Sequence, residues 1–297
     1  MKHKIVYFGL GALILCGTLR AQNAAIDSSN TVLEYKKEVY TKENIPGKKP
    51  IPLAYVREAD VIFDKTVWRM IDLREKRNLA LYYPTANIGS RVNLVNLLLK
   101  GVDSGEINAY DPNDFNNEFS RVIGKTELDQ NFGAKHDTIQ VTDADGNMIA
   151  QERKLGRQTD QVTMLLVKEH VYFDKKHSVL NRELIAVCPI RVFTRDDGVS
   201  DSDSEAELQR VRTMWIYIPE ARSILARHPV FNRFNDAMSI SFDDFLMNHH
   251  YEGSIYQISN VYNNRSIEEY ASGIDALYEA QRIEDEIFNW EQALWEY

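Results

Sequence analysis

The sequence predicts an α+β fold: an antiparallel sheet covered by helices, with an extended N-terminal arm and a long C-terminal helix. Segments rich in Val, Ile and aromatic residues recur at Val162–Phe173, Leu180–Phe193 and Val211–Ile218, which is how an antiparallel meander reads. Apolar residues at helical spacing lie ahead of these strands, and a long apolar seam ends the chain. The arm rests on Pro46, Pro50 and Pro52, three prolines within seven residues, which fix φ and remove donors.

Taken in order, the chain opens with Lys2 and Lys4, an apolar run of eleven residues from Ile5 to Leu15, and small or polar residues at Gly17, Thr18 and Ala21. That is the pattern of a secretory signal over residues 1–21, with cleavage expected after Ala21. The apolar run falls short of the roughly 20 residues that a membrane-spanning helix needs. Leu13, Ile14 and Leu15 ahead of Cys16 do not make a lipid-attachment signal. Loss of the three cations Lys2, Lys4 and Arg20 takes the formal net charge from −9 to −12. Such a chain is repelled by phosphate backbones and anionic lipid, which argues against nucleic acid and against direct membrane insertion. Only Cys188 then remains, so an intrachain disulfide is excluded and stability must come from packing.

Residues 22–55 read as an extended arm or, equally, as a leader. The core is expected over 56–255. Ile62, Phe63, Val67, Met70 and Ile71 fit one helical face and predict a helix over Ala59–Lys76. A short strand over Leu79–Tyr83 then runs into Pro84. Val92, Val95, Leu98, Leu99 and Val102 predict a second helix that closes between Gly101 and Gly105. Asp143–Asn147, between Thr138–Val141 and Met148–Ala150, signals a hairpin turn. The loop Arg195–Gln209 is acidic and serine-rich, and should be solvated. Leu81–Pro84 and Ile216–Pro219 both read as a strand entering a proline, followed by a helix and an Asp-Phe pair, Asp114-Phe115 and Asp244-Phe245. This suggests a diverged internal repeat.

The C-terminal helical segment, 256–297, has the strongest period: Ala276, Ala280, Ile283, Ile287, Trp290, Leu294 and Tyr297 recur at spacings of 4, 3, 4, 3, 4 and 3. The seam docks either on the chain's own core or on a partner. Candidate partner contacts are Pro46, Pro50 and Pro52 of the arm and Ile287, Trp290, Leu294 and Tyr297 of the helix.

Local reaction signatures are missing from the sequence: it has no G-x-S-x-G, H-E-x-x-H, P-loop or G-x-G-x-x-G. Asp143, Asp145 and Asn147 could open a calcium loop, but Met148 stands where the glycine is needed and Lys154 where the bidentate glutamate is needed. His249 and His250 are adjacent and diverge, a poor arrangement for a shared metal. Cys188 lies in the apolar stretch Leu184–Ile190 and reads as a small buried hydrophobe. Asp243-Asp244 reads as a helix cap or turn. No catalytic, cofactor or metal residue is expected, and the chain reads as non-enzymatic.

Several segments together resemble one family. They are Arg57–Val61 through Lys65, Trp68–Lys76 and Leu81–Pro84; Tyr172–Lys175; Trp215–Arg222; Ser241–Phe245; and the ending QRIEDEIFNWEQALWEY. From about Arg57 to Tyr297 the chain resembles the GldN/PorN proteins of the Bacteroidetes gliding and type IX secretion machinery. The resemblance implies a periplasmic subunit held at the outer membrane by a GldK/PorK-like lipoprotein and self-associating with it in a ring. It also implies contact with a GldM/PorM-like periplasmic motor domain, and no catalytic residue. The other reading is an envelope hydrolase or sugar-binding protein whose site is made of scattered residues.

Overall fold

Runs of β-branched and aromatic residues build the sheet of the computed structural model, which describes residues 45–88, 91–113, 119–142, 148–194, 208–235 and 237–295. The strands are β1 (Val61–Asp72), β2 (Lys135–Thr142), β3 (Met148–Leu155), β4 (Val162–Asp174) and β5 (Val179–Thr194), then β6 (Leu208–Arg212), β7 (Ile216–Tyr217), β8 (Pro229–Val230), β9 (Ile240–Ser241) and β10 (Ser254–Ile258). The helices are α1 (Leu79–Tyr82), α2 (Leu94–Ser104), α3 (Lys125–Asn131), α4 (Ile218–Ala226), α5 (Phe242–Met247) and α6 (Ile274–Trp295). The main sheet runs β10-β1-β4-β5-β6, with β7 also pairing with β5, and its neighbours are antiparallel. The α+β reading therefore holds, and all described residues fall within the unit Ile45–Tyr297.

The predicted meander is present as β4, β5 and the β6–β7 edge, but its third strand is broken at residues 213–215. Pro189 of β5 has no N–H to offer a ladder, and its carbonyl accepts from both the backbone N–H and the hydroxyl of Thr213, each at 2.9 Å. Trp215 then turns to pair with Tyr110 through two backbone bonds of 2.9 and 3.0 Å. The hairpin holds as well, with β2 and β3 paired from Lys135↔Leu155 to Thr142↔Met148. Its Asp143–Asn147 turn, the Asp114-Phe115 pair and residues 195–207 of the acidic loop lie outside the described residues.

Two expectations are corrected. Ala59–Lys76 is not a helix; it is a short 3-10 turn at Glu58–Asp60 followed by β1. Spacings of 3 and 4 among Ile62, Phe63, Val67, Met70 and Ile71 also fit a central strand covered on both faces, which has no clean period of two, and the Val, Ile, Thr and aromatic content favours the strand. Leu79–Tyr83 is likewise not a strand but α1, whose Leu-Ala-Leu stretch is good helix former. The helix stops before a cis Tyr83–Pro84 bond, whereas Pro219 sits in the first turn of α4, so the two proline segments differ in local structure. The predicted second helix is α2. Asn93 caps it by accepting from the Asn96 N–H at 2.7 Å, and Gly105 closes it at φ +76°, a conformation open to glycine at little strain.

All the helices that frame the core pack on one sheet face. At one end α2, α4 and α5 bury Leu94, Leu98, Ile224, Leu225 and Phe242 against Ile71, Leu165 and Val167. At the other end α6 lays Ala280 and Ile283 on Val67, Val171 and Ile255. The opposite face carries Trp68, Leu166, Cys188, Ile190 and Trp215. Trp68 and Trp215 are buried, and Cys188 is a buried free thiol, as its apolar stretch predicts. Trp215 is 0% exposed, so Trp215→Ala should lower unfolding free energy by about 3–5 kcal/mol, measured by chemical denaturation.

Candidate interaction surfaces

Between the two apolar clusters runs a row of charge. On β1, Arg69 separates Val67 from Ile71; on β4, Glu169 separates Val171 from Val167; on β5, Arg182 separates Leu180 from Leu184. Glu169 is fully buried, with the Nε atoms of Arg69 and Arg182 at 3.6 and 3.7 Å from its Oε2. Its Oε1 accepts the Tyr251 hydroxyl at 2.6 Å. Arg69 also donates to the Gly253 carbonyl at 2.7 Å and to Glu284 of α6 at 3.3 Å. The backbone at Gly253 passes so close to β1 that a Cβ there would lie 2.4 Å from the Met70 carbonyl oxygen. One ionic cluster thus fixes three strands, the 249–253 segment and the C-terminal helix.

The double histidine seen in the sequence belongs to this cluster only through His249, which adopts φ +52°. Its Nε2 lies 3.0 Å from the Arg182 carbonyl and so carries the hydrogen, and its Nδ1 lies 2.9 Å from the Tyr251 hydroxyl. Tyr251 has one proton, directed at Glu169, so Nδ1 gains a hydrogen bond there only when the ring is cationic. Burial nonetheless pushes the His249 imidazole below 6.5, and the Arg182 and Arg69 charges add to this, against the Arg182 carbonyl and Glu169. Burial, then Glu169, holds the Tyr251 hydroxyl well above its usual value. His250 is exposed, its ring 5.7 Å from that of Phe245.

Asp243 and Asp244 follow the cap of α5, Ser241, which accepts from the Asp244 N–H at 3.2 Å. Asp243 is buried and holds Arg222 of α4 in two parallel bonds of 2.9 and 3.1 Å. Asp244 instead takes Lys48 of the arm. Burial would raise its carboxyl, but the Lys48 and Ser241 hydrogen bonds together hold it below the usual range. The arm is thus pinned at its start: Ile45 is buried, and a turn closed by the Lys48 N–H on the Ile45 carbonyl carries the exposed Pro46. Beyond it Pro50 is half-buried and Pro52 exposed, and residues 48–57 carry neither helix nor strand. Ile51, Leu53 and Tyr55 alternate along this stretch and are exposed, Tyr55 at 91%.

The same α5 forms one wall of an open groove of about 1100 Å³ between α1, the β8–β9 hairpin and residue 252. Leu79, Tyr83, Val230, Phe231, Phe234 and Phe245 supply its apolar lining. Lys76, Arg77 and Arg233 edge it, with Glu75 and Glu252, and Phe234 stands 82% exposed beneath the Arg233 guanidinium at 4.4 Å. Asn78 ties this wall to β1: buried, it donates to the carbonyls of Asp72 and Glu252, both at 2.8 Å, and accepts the Glu252 N–H at 3.0 Å.

The C-terminal seam docks inward. Ile287 is half-buried, and Trp290 stacks on Phe63 at 4.2 Å and meets Phe173 edge-on at 5.7 Å. Leu294 continues the helix, and Tyr297 lies outside the described residues. The outward face of α6 is apolar too, exposing Ile274, Leu277, Tyr278 and Phe288. Sequence reading missed this second stripe because the stronger inner seam hid it. It also missed the groove and both buried ion clusters, whose members are far apart in sequence. Among the described residues, no helix is long and apolar enough to cross a membrane.

Residues 56–296 match the family model described as gliding motility associated protein GldN, a match that starts where the arm ends. No curated protein matches the chain.

Glu169→Gln removes the fully buried charge that Arg69 and Arg182 share and should cost about 3–5 kcal/mol of stability in chemical denaturation. His249 gives a pH dependence of definite sign. Below about pH 6.5 the unfolded chain takes up the proton before the folded one does, so stability falls with falling pH until the folded imidazole also titrates. His249→Gln should flatten denaturation midpoints measured between about pH 7 and pH 5.

Proposed function

The chain belongs to the GldN family of gliding-motility-associated proteins, tied to the gliding and type IX secretion machinery of the cell envelope, and from that premise we propose that it is a non-catalytic periplasmic subunit that works by assembly. Its partners in this reading are a GldK/PorK-like outer-membrane lipoprotein, further copies of itself in a ring, and a GldM/PorM-like motor domain. The observation that carries the reading is the family match over 56–296. Support comes from the surfaces: the exposed alternation of Ile51, Leu53 and Tyr55, the aromatic groove and the outer stripe of α6 suit docking rather than turnover of a small molecule.

The arm, residues 22–55, extends the reading. Pinned by Lys48 on α5, it leaves an extended apolar stripe whose prolines reduce the entropy lost when a strand-like segment docks on a neighbouring chain.

Affinity capture of the chain from envelope membranes, followed by mass spectrometry, tests the proposal. An outer-membrane lipoprotein should be recovered in stoichiometric amount, and recovery of the chain free of envelope proteins would sink the reading. A chain lacking residues 22–50 should keep its cooperative melt and recover less of the assembly. Undiminished recovery would reduce the arm to a leader.

A further inference from the structure

The outer stripe of α6 and the aromatic groove are opposite in character and have no residue in common. On the helix, Ile274, Tyr278, Gln281, Asp285 and Phe288 recur at spacings of 4, 3, 4 and 3, with Leu277 beside them. Within Ile274–Trp295 six carboxylates stand against Arg282; Asp285 lies on the stripe, Glu284 turns inward to Arg69, and Glu279 and Glu286 bind Arg282, so the stripe is an apolar face on an acidic helix. The groove has the reverse edge: Lys76, Arg77 and Arg233 outnumber Glu75 and Glu252, and the Arg91 guanidinium sits 4.5 Å over Phe231. This cationic edge stands on a chain whose net charge is −9.

We propose that the outer face of α6 of one copy seats in the groove of the next, making a head-to-tail contact between copies of this chain. The proposal rests on the assembly reading above and names the surfaces that it would use. Charge decides the orientation. Pairing helix with helix would bring two acidic helices together, and pairing groove with groove would match two edges that each hold more cations than carboxylates, whereas helix in groove sets the acidic helix against the more cationic edge around aromatic side chains. The groove is open and, at about 1100 Å³, lies above the range of about 300–1,000 Å³ usual for small-ligand pockets. The stripe is what a ridge of side chains entering such a groove requires, with Leu277 and Tyr278 a turn apart from Gln281 and Phe288 further along. Because the two faces differ, pairing leaves one copy with a free groove and the other with a free helix face, and the contact propagates until a ring closes or a filament grows.

The test uses the full chain in two variants at exposed positions, Leu277→Lys with Tyr278→Lys on the helix, and Arg233→Glu with Phe234→Glu at the groove. Sedimentation velocity follows size, and circular dichroism melts verify that both variants are folded. The wild type should form species larger than dimers, each variant by itself should sediment as a monomer, and an equimolar mixture should form dimers and nothing larger. That last pattern requires one intact helix face meeting one intact groove. Variants that associate like the wild type, or a mixture that stays monomeric while the wild type assembles, overturn the proposal. A wild type that is monomeric at every concentration also overturns it, yet leaves the assembly reading standing if envelope capture still recovers a lipoprotein.

Discussion

The architecture turns on a row of charge laid across an otherwise apolar sheet face. Arg69, Glu169 and Arg182 interrupt the inward rows of three neighbouring strands at matching positions. Burying such a row costs desolvation that Coulomb attraction offsets only when the remaining donors and acceptors are satisfied. Groups from elsewhere in the chain satisfy most of the row, namely the Tyr251 hydroxyl, the Gly253 carbonyl and Glu284, while Arg69 Nε and Glu169 Oε2 face each other at 3.6 Å as an ion pair without a hydrogen bond. The row therefore acts as a locating key. An apolar surface would hold α6 and the 249–253 segment at many registers, whereas a buried guanidinium accepts only the register that brings it oxygen.

That key also explains why the inner and outer faces of α6 have separate roles. Ala280, Ile283 and Trp290 dock the helix, and Arg69–Glu284 fixes its rotation, so Leu277, Tyr278 and Phe288 have no core left to enter. Glu252, two residues from the Asn248–His250 reversal and joined to β1 through Asn78, belongs to the groove wall. The groove wall thus adjoins Gly253, whose carbonyl accepts from the same Arg69 that holds the helix.

Legibility followed periodicity. β4, β5 and the terminal helix were readable because each buries one dominant pattern over ten or more residues. β1 was misread because, lying between β10 and β4 with both faces covered, it offers apolar residues at spacings that a helix also produces. α1 was misread because four residues between a turn and a proline carry too little pattern to tell the two states apart. Charges gave no sign of their partners: Arg69 and Glu169 are 100 positions apart, and only the register of β1 on β4 brings them together. The groove was invisible for the same reason, being assembled from α1, the β8–β9 hairpin and α5. Asp243-Asp244 was legible as a helix start, but not as two carboxylates that bind different cations, Arg222 within the core and Lys48 of the arm.

A head-to-tail contact makes the geometry of any assembly a property of the single chain. The angle between successive copies is the angle between the outer face of α6 and the groove, and a closed ring requires that angle to repeat with little error. Soft attachment of either surface would spread the angle and favour open chains. Here the helix is held by a buried cation and an aromatic stack, while the groove wall is held by the fully buried Asn78 and by a peptide pressed too close to β1 to admit any side chain at Gly253. Loosening the ionic row should therefore disturb the distribution of assembly sizes before it disturbs the pairwise contact itself, because the faces that touch remain intact while the frame that sets their angle does not.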